Sequence, residues 1–377
     1  MSIAVERIEP PVPQGATRLR FAWVEEWMSM LAGKVLPELA RRHDVYYVSA
    51  GDEIPKADFV KVIRCKRYRY MNVSGFELSH AVNRLYRDGS IDMAMVWASI
   101  GFGLGRVPFI NLEGTSVYAE IELFASMTPF YKRPKFLTGL AHYALPEMIC
   151  NRRAAKTIVP TRALGDDIRR LHGLAPDRIE VVPHGVEHGH LQLHREKPAD
   201  LRPRLLFVGR LHFRKGLLPV LREFARRRDI DAEFMIAGDG PEREAMQALA
   251  TRDPRIKLLG NVDRAELASL LRSTNIFVFP TFYEGFGLAL TEAMASGHAC
   301  VSYDIGVVRE VLGGTGVLVP LGDAAALVER VARLARDPAS IDDYAARAHA
   351  RAAQFSWEDA PLSIERVMHG VIGTRTE

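Results

Sequence analysis

Short apolar runs alternate with longer amphipathic stretches from residue 19 almost to the C-terminal end. A continuous apolar run bounded by turn residues reads as a buried strand. Apolar positions three and four apart read as a helix facing a core. In the first half this pattern predicts strands over Leu19–Val24, Val45–Ser49, Phe59–Arg64, Met93–Ala98, Phe109–Leu112, Thr157–Pro160 and Ile179–Val182. Helices are predicted over Glu26–Arg41, Gly75–Arg87 and Ala163–Leu171, with a largely helical region from Ile121 to Asn151 broken at Pro129 and Pro134. His188–Pro203 is polar and without periodicity, and reads as a linker.

After it the alternation restarts. Strands are expected at Leu205–Val208, Glu233–Ala237, Ile256–Leu258, Ile276–Phe279, Ala299–Tyr303 and Gly316–Val319. Helices are expected at Gly216–Arg227, Glu242–Ala250, Arg264–Leu271, after Gly287, and over Ala324–Arg336 and Ile341–Ala353. Strand–helix alternation of this kind builds parallel sheets covered by helices. At 377 residues the chain exceeds what one hydrophobic core usually spans. The expected fold is therefore α/β, two Rossmann-like doubly wound domains facing a central cleft, with ligands at the carboxyl ends of the strands. The expected boundaries are residues 1–187, a linker at 188–203, and a second domain at 204–354.

Composition narrows the class without naming a function. The chain is 48% hydrophobic and 25% charged, which suits a globular protein and excludes wholesale disorder. Residues 1–195 carry an excess of five positive charges and residues 196–377 an excess of one negative charge. That imbalance permits contact with an anionic bilayer and is too weak to suggest nucleic-acid binding. Cys65, Cys150 and Cys300 lie far apart, without metal-ligand spacing, and read as thiols in a reducing cytoplasm. Met1–Gln14 has prolines and glutamates where a secretory leader has an apolar core, so no leader is expected. The uncharged stretch Met93–Gly105 is too short to span a bilayer and reads as a strand with a Gly-rich loop.

The most informative segment is Pro280–Met294, which sets Glu284 and Glu292 around Gly285-Phe286-Gly287 where a strand should pass into a helix. Eight helical residues span a little over two turns, so both carboxylates could lie along one edge of a cleft. Glycines let backbone approach a bulky ligand, and free amides at a helix start favour an anion. A sugar joined to a diphosphate needs that combination. Arg210 and Lys215 follow the second domain's first strand and could bring a guanidinium fork and a point charge to a diphosphate. Both could equally be solvated loop cations. The Phe286 side chain reads as core, and Gly238-Asp-Gly240 as a tight structural turn.

Four motifs in order, Val208–Gly216, Ala237–Glu242, Gly260-Asn-Val262 and the Glu284/Glu292 segment, resemble the donor domain of family 4 retaining glycosyltransferases of GT-B architecture. The resemblance covers residues 156–370 well and the first half loosely. It implies a nucleoside-diphosphate sugar as donor, bound by Gly209, Arg210, Lys215, Asn261, Val262, Glu284, Gly285, Phe286, Gly287, Leu288 and Glu292. Within that set, Arg210 and Lys215 would neutralise the leaving nucleotide in place of a metal, so neither a metal nor a cofactor is expected. Glu284 would hold hydroxyls of the transferred sugar and Glu292 the ribose, with backbone pairing to the base at Val262. It also implies that the segment from Phe355 through Met368 is a closing helix, placing residues 355–377 with the first domain and Trp357 at the domain junction.

Two departures stand out. Glu113, in Val107–Ser116, stands where the family often has a histidine. It would orient a donor hydroxyl or take the acceptor's proton, or it is a satisfied buried polar residue. Trp23-Val-Glu-Glu-Trp27 replaces the usual glycine pair after the first strand, which points to a reshaped acceptor pocket or a covered groove. Lys66–Tyr70 and Tyr131–Phe136 mix basic and aromatic residues, as a surface meeting an anionic bilayer would, or as ordinary loops do. The resulting expectation is an enzyme moving a sugar to a glycan or lipid-linked acceptor, in the cytoplasm or peripherally on the inner membrane face. The rivals are a nucleotide-sugar hydrolase, a sugar phosphorylase and a non-catalytic nucleotide-sugar-binding subunit. A nicotinamide dehydrogenase is disfavoured because no G-x-G-x-x-G follows an early strand.

Overall fold

The computed structural model describes residues 18–26, 28–57, 60–68, 71–127, 140–193 and 203–373. The chain divides into two compact units: Met1–Pro160, Leu164–Val182 and Trp357–Glu377 form the first, Thr161–Ala163 and Pro183–Ser356 the second. Each is a wholly parallel sheet with helices on both faces.

The first unit's strands are β1 (Arg20–Glu25), β2 (Asp44–Ser49), β3 (Val60–Arg64), β4 (Met93–Trp97), β5 (Phe109–Leu112), β6 (Lys156–Val159) and β7 (Ile179–Val181). They lie in the order β3-β2-β1-β4-β5-β6-β7. β1 shows why apolar runs predicted strands buried on both sides. Phe21 and Trp23 enter the core on one face, while Ala22 and Val24 enter the core on the other. The terminal helix Asp359–Gly373 puts Ala360, Ile364, Met368 and Val371 into the first of these cores, a spacing that keeps them on one helix face. Glu365 ties that helix down, accepting from Arg42 at 2.5 Å and lying 3.0 Å from Nε2 of His43. Trp357 packs on the same core.

The second unit's strands are β8 (Arg204–Val208), β9 (Glu233–Ala237), β10 (Ile256–Gly260), β11 (Ile276–Phe279), β12 (Ala299–Tyr303) and β13 (Val317–Val319). Their order is β10-β9-β8-β11-β12-β13. In β11, Ile276 and Val278 face one core and Phe277 and Phe279 the other. Strand order reverses between β8 and β11, the topological switch point where ligands of open α/β sheets lodge. The fold is GT-B.

Several elements differ from expectation. Residues 188–193 form a short helix instead of linker, packed on the helices Arg264–Ser273 and Leu288–Ala295. Residues 194–202 lie outside the described set. Pro183–Glu187 group with the second unit because Val186 makes a parallel bridge to Ser356 and donates to Phe355 O at 3.0 Å. The Gly-rich loop after β4 is a 3-10 helix, Ala98–Gly103. A helix at Gly306–Leu312 lies between β12 and β13, where the sequence pattern predicts no element. No helix among the described residues is long and apolar enough to cross a membrane.

Candidate functional site in the second unit

Three loops at the carboxyl edge of the second sheet are laced backbone to backbone. Gly209 N–H, just past β8, donates to Ala237 O at 3.0 Å, and Gly238 N–H donates to Gly260 O at 2.7 Å. A Cβ on Gly238 would stand 1.9 Å from Gly209 O, so this approach requires glycine. The Gly238-Asp-Gly240 turn therefore holds the β8 loop in place.

That loop then tightens into a 3-10 turn, Phe213–Lys215, capped by the His212 side chain accepting from Arg214 N at 3.3 Å. Gly216 ends it at φ 64°, and a Cβ there would meet Pro280 O at 2.0 Å. The segment after β11 is thus seated directly on this turn. Phe282 N–H donates to Arg214 O at 2.9 Å, and Thr281 Oγ1 to Tyr283 O at 3.0 Å.

The consequence is that Lys215 Nζ and Glu284 Oε1 form an ion pair across the switch point. Both side chains are mostly buried, 17% and 10% exposed. Lys215 also stands over the Phe279 ring, 5.6 Å from its centroid. Arg210 sits on the same loop with an exposed side chain that has no ion-pair partner among the described residues. The β8 and β11 loops therefore bring a paired cation and carboxylate together, and the β8 loop also carries the exposed Arg210.

Glu284 is not on a helix with Glu292. It lies in the irregular segment Pro280–Gly287, and the helix begins at Leu288 after Gly287 turns at φ 90°. The expected two-turn spacing along one helix is replaced by a turn followed by one helical turn. Gly285 O accepts from Thr161 Oγ1 at 3.0 Å. Phe286 is core, with His184 at 5.2 Å and Phe355 edge-on at 5.5 Å.

Glu292 occupies a different electrostatic setting. Burial pushes its carboxyl up to about 7, the Glu187 charge pushes the same way, and Arg264 opposes both. Arg264 begins the helix that follows Asn261-Val262, whose capping box pairs Asp263 with Glu266. Asn261 is exposed and Val262 half-buried, in the loop that leaves β10. Glu187, Arg264 and His184 were missed from sequence. The turn residues Pro183-His184-Gly185 directly after β7 were the signal available.

Glu113 belongs to the first unit and is not offered to a ligand there. Its side chain is enclosed, 2% exposed, and Oε1 accepts from Asn111 and Asn151 amides, both at 2.9 Å. Burial, then the Glu147 charge, pushes its carboxyl well above the usual range. Of the two readings of Glu113, this geometry stands nearer the buried polar one: β5 ends pointing it inward, against helix Leu145–Arg153. Trp23 is fully buried in a core, while Trp27 lies outside the described residues. Glu25, at the end of β1, accepts from Tyr47 Oη at 2.8 Å.

In the basic–aromatic stretch beginning at Lys66, Lys66 and Arg67 are exposed. Lys66 stands over the Tyr68 ring at 5.3 Å, and Tyr68 donates to Glu77 at 3.1 Å. Arg69, Tyr70 and all of Tyr131–Phe136 lie outside the described residues. One group of metal-ligand type gathers among the described residues: His43, Glu365 and His369. Nδ1 of His43 accepts the Leu19 amide at 3.2 Å, so its proton sits on Nε2 facing Glu365. A ligating Nε2 would need that proton on Nδ1, against the amide, so the group fits a polar lock and not a metal.

Comparison with known proteins places these features. Residues 32–190 match the family described as Glycosyltransferase Family 4, and residues 202–337 match Glycosyl transferases group 1. A phosphatidyl-myo-inositol mannosyltransferase of Mycolicibacterium smegmatis is 33% identical over 229 residues, 57% of this chain and 58% of that protein. The chain thus spans a little over half the length of this curated relative. Among solved structures, sucrose-phosphate synthase from Thermosynechococcus elongatus superposes with a TM-score of 0.75 at 18% identity, covering 95% of this chain and 100% of the other. Anabaena HepE in complex with UDP-glucose gives 0.68 at 16%, covering 94% and 100%.

Proposed function

Because this chain belongs to the family 4, group 1 glycosyltransferases, we propose that it moves a sugar from a nucleoside diphosphate to an acceptor hydroxyl with retention of configuration. The observation carrying this reading is the Lys215–Glu284 pair at the β8/β11 switch point, beside the exposed Arg210.

In this reading the diphosphate takes the place of Glu284 as partner of Lys215 and is gripped by Arg210 as well. The released Glu284 carboxylate then accepts hydroxyls of the sugar. Amides of Gly285, Gly287 and Leu288 at the helix start meet phosphate or sugar oxygens. The two side-chain cations stabilise the charge that develops on the departing phosphate, the task a divalent metal would otherwise perform. The acceptor hydroxyl then attacks from the face the phosphate leaves and gives its proton to the departing phosphate oxygen, which accounts for retention. Glu292 takes the ribose hydroxyls and Val262 the base through its backbone.

HepE's complex with UDP-glucose supports a nucleotide-sugar donor. The likeness to a phosphatidyl-myo-inositol mannosyltransferase supports a lipid-linked acceptor; our reading puts the reaction in the cytoplasm or on the inner membrane face. The test pairs two variants across a panel of UDP- and GDP-sugars. Glu284→Ala should collapse turnover with little change in nucleotide affinity, and Glu292→Ala should weaken nucleotide binding. Unchanged activity in both would end this assignment. Donor binding without turnover over a broad acceptor panel would favour the non-catalytic reading.

A further inference from the structure

Four arginines surround one cavity in the first unit, and no carboxylate lines it. The cavity, about 540 Å³, is bounded by Arg106, Arg152, Arg153 and Arg178 together with backbone and apolar groups such as Pro108 and Val371. It opens where β5, β6 and β7 begin, since Val107–Phe109, Ala154–Ala155 and Arg178 line it. That is the amino edge of the sheet, opposite the carboxyl edge where α/β folds bind their principal ligands.

Like charges gathered this closely repel, and proteins usually intersperse acidic partners. Here none of the four makes an ion pair among the described residues. The guanidiniums are fixed instead by neutral acceptors. Arg153 donates to Phe102 O at 2.8 Å, to Gly105 O at 2.9 Å and to Leu104 O. Arg178 donates to Ala155 O at 3.0 Å, to Arg152 O at 3.3 Å and to Ala154 O. Arg152 Nε donates to His172 O at 2.8 Å. Carbonyl acceptors hold orientation but cancel no net charge, so a rigid positive field is left facing the cavity. Arg106 is exposed and engaged with no side chain among the described residues, which leaves its whole fork available.

A second cavity of about 970 Å³ shares Gly105 and Arg106 and adds His80 and Arg87. Its one carboxylate, Asp92, is already paired with Arg20 at 2.5 Å. The positive field therefore continues along the edge, with Arg106 between the two hollows.

We propose that this edge binds a phosphate-bearing anion, a phosphomonoester or diphosphate, at a site separate from the donor site in the second unit. The shared chemistry is a compact dianion met by guanidinium forks. Its source is either a soluble phosphorylated molecule or the headgroup of an anionic lipid.

Two arms of one experiment separate these sources. Inorganic pyrophosphate is titrated calorimetrically into the wild type, Arg106→Gln and Arg106→Gln/Arg152→Gln. The same proteins are sedimented with phosphatidylcholine vesicles with and without a fraction of phosphatidic acid, whose headgroup is a phosphomonoester. Arg106 and Lys215 lie in different units, so any difference between wild type and variants reports this cavity even if the second unit also takes phosphate. Arg106→Gln removes no hydrogen bond or ion pair among the described residues, and its unchanged melting temperature serves as the folding control. The expected result is about tenfold weaker binding for the single variant and about a hundredfold for the double, the size of one and two charge-assisted contacts. Loss in the pyrophosphate arm alone assigns a soluble phosphate. Loss of vesicle binding, with or without the other, assigns a lipid headgroup. Variants that match the wild type in both arms overturn the site.

Discussion

Lys215 and Glu284 are 69 positions apart in sequence, yet their side chains meet as an ion pair where the β8 and β11 loops converge. Each is the other's charge partner. Removing one leaves the other mostly buried and unpaired, which is costlier than removing both. Lys215→Met should lower stability by about 2 kcal/mol and abolish the rise in melting temperature caused by a nucleoside-diphosphate sugar. Lys215→Met/Glu284→Gln should regain most of the stability and none of the ligand effect. Thermal unfolding with and without UDP- and GDP-sugars reads both quantities. A double variant that binds nucleotide sugar like the wild type would show that the pair is structural only.

Glu292 makes the donor site sensitive to pH. Its carboxyl is raised to about 7, first by burial and then by Glu187. Between the ordinary value of 4.5 and about 7 the folded chain keeps a proton that the unfolded chain has lost. Stability from this group therefore falls as pH rises through that window and stays reduced above it. Glu292→Gln should remove the fall, raising stability at pH 8 by on the order of 2 kcal/mol. Ribose hydroxyls donate to the ionised form, so nucleotide affinity should increase as pH rises through about 7 in the wild type and be flat in the variant. A wild-type affinity independent of pH between about 6 and 8 would refute the ribose role.

The glycines of the carboxyl edge should divide sharply by what surrounds them. Gly238→Ala and Gly216→Ala force a Cβ to within 1.9 and 2.0 Å of carbonyl oxygens, at φ values of 140° and 64°. Gly314 shares a positive φ, 83°, but nothing lies within 4 Å of its Cβ position. Gly314→Ala should cost about 1 kcal/mol from backbone strain alone. The other two should cost more than about 3 kcal/mol and loosen the β8 and β11 loops. Denaturant unfolding of the three variants checks the order, and equal costs would mean that the loops yield without loss.

What could be read from sequence, and what could not, follows from where each signal resides. β11 was legible because both its faces are buried, so burial writes a continuous apolar run into the chain. The helix Gly306–Leu312 was not, because Gly-Val-Val-Arg-Glu-Val-Leu is rich in β-branched residues and its helical state is imposed by packing. The 3-10 helix at Ala98–Gly103 depends on glycines pressed close to their neighbours: a Cβ on Gly101 or Gly103 would stand 3.1 Å from Cys150 or Ser79. At the site, the motifs located the β8, β10 and β11 loops, because turn chemistry is local. The pairing of Lys215 with Glu284, and the charges of Glu187 and Arg264 around Glu292, are products of tertiary approach. No local pattern encodes them. Glu113 shows the same limit, since the sequence told that it ends a strand but not that it turns inward.

Glu113 offers the sharpest test of that inward turn. Burial and the Glu147 charge push its carboxyl well above the ordinary range, and its Oε1 accepts amide hydrogen bonds from Asn111 and Asn151. Glutamine copies that shape and keeps the accepting oxygen, whereas alanine leaves a hollow and strands two buried amides. Glu113→Gln should hold stability within about 1 kcal/mol and turnover within a few-fold, while Glu113→Ala should lose about 2–4 kcal/mol. A carboxyl that took the acceptor's proton would behave in the opposite way, with the glutamine variant folded but slowed by about a hundredfold or more. Urea unfolding and steady-state rates on the two variants decide between them, and a slow, fully stable Glu113→Gln protein would return Glu113 to the reaction.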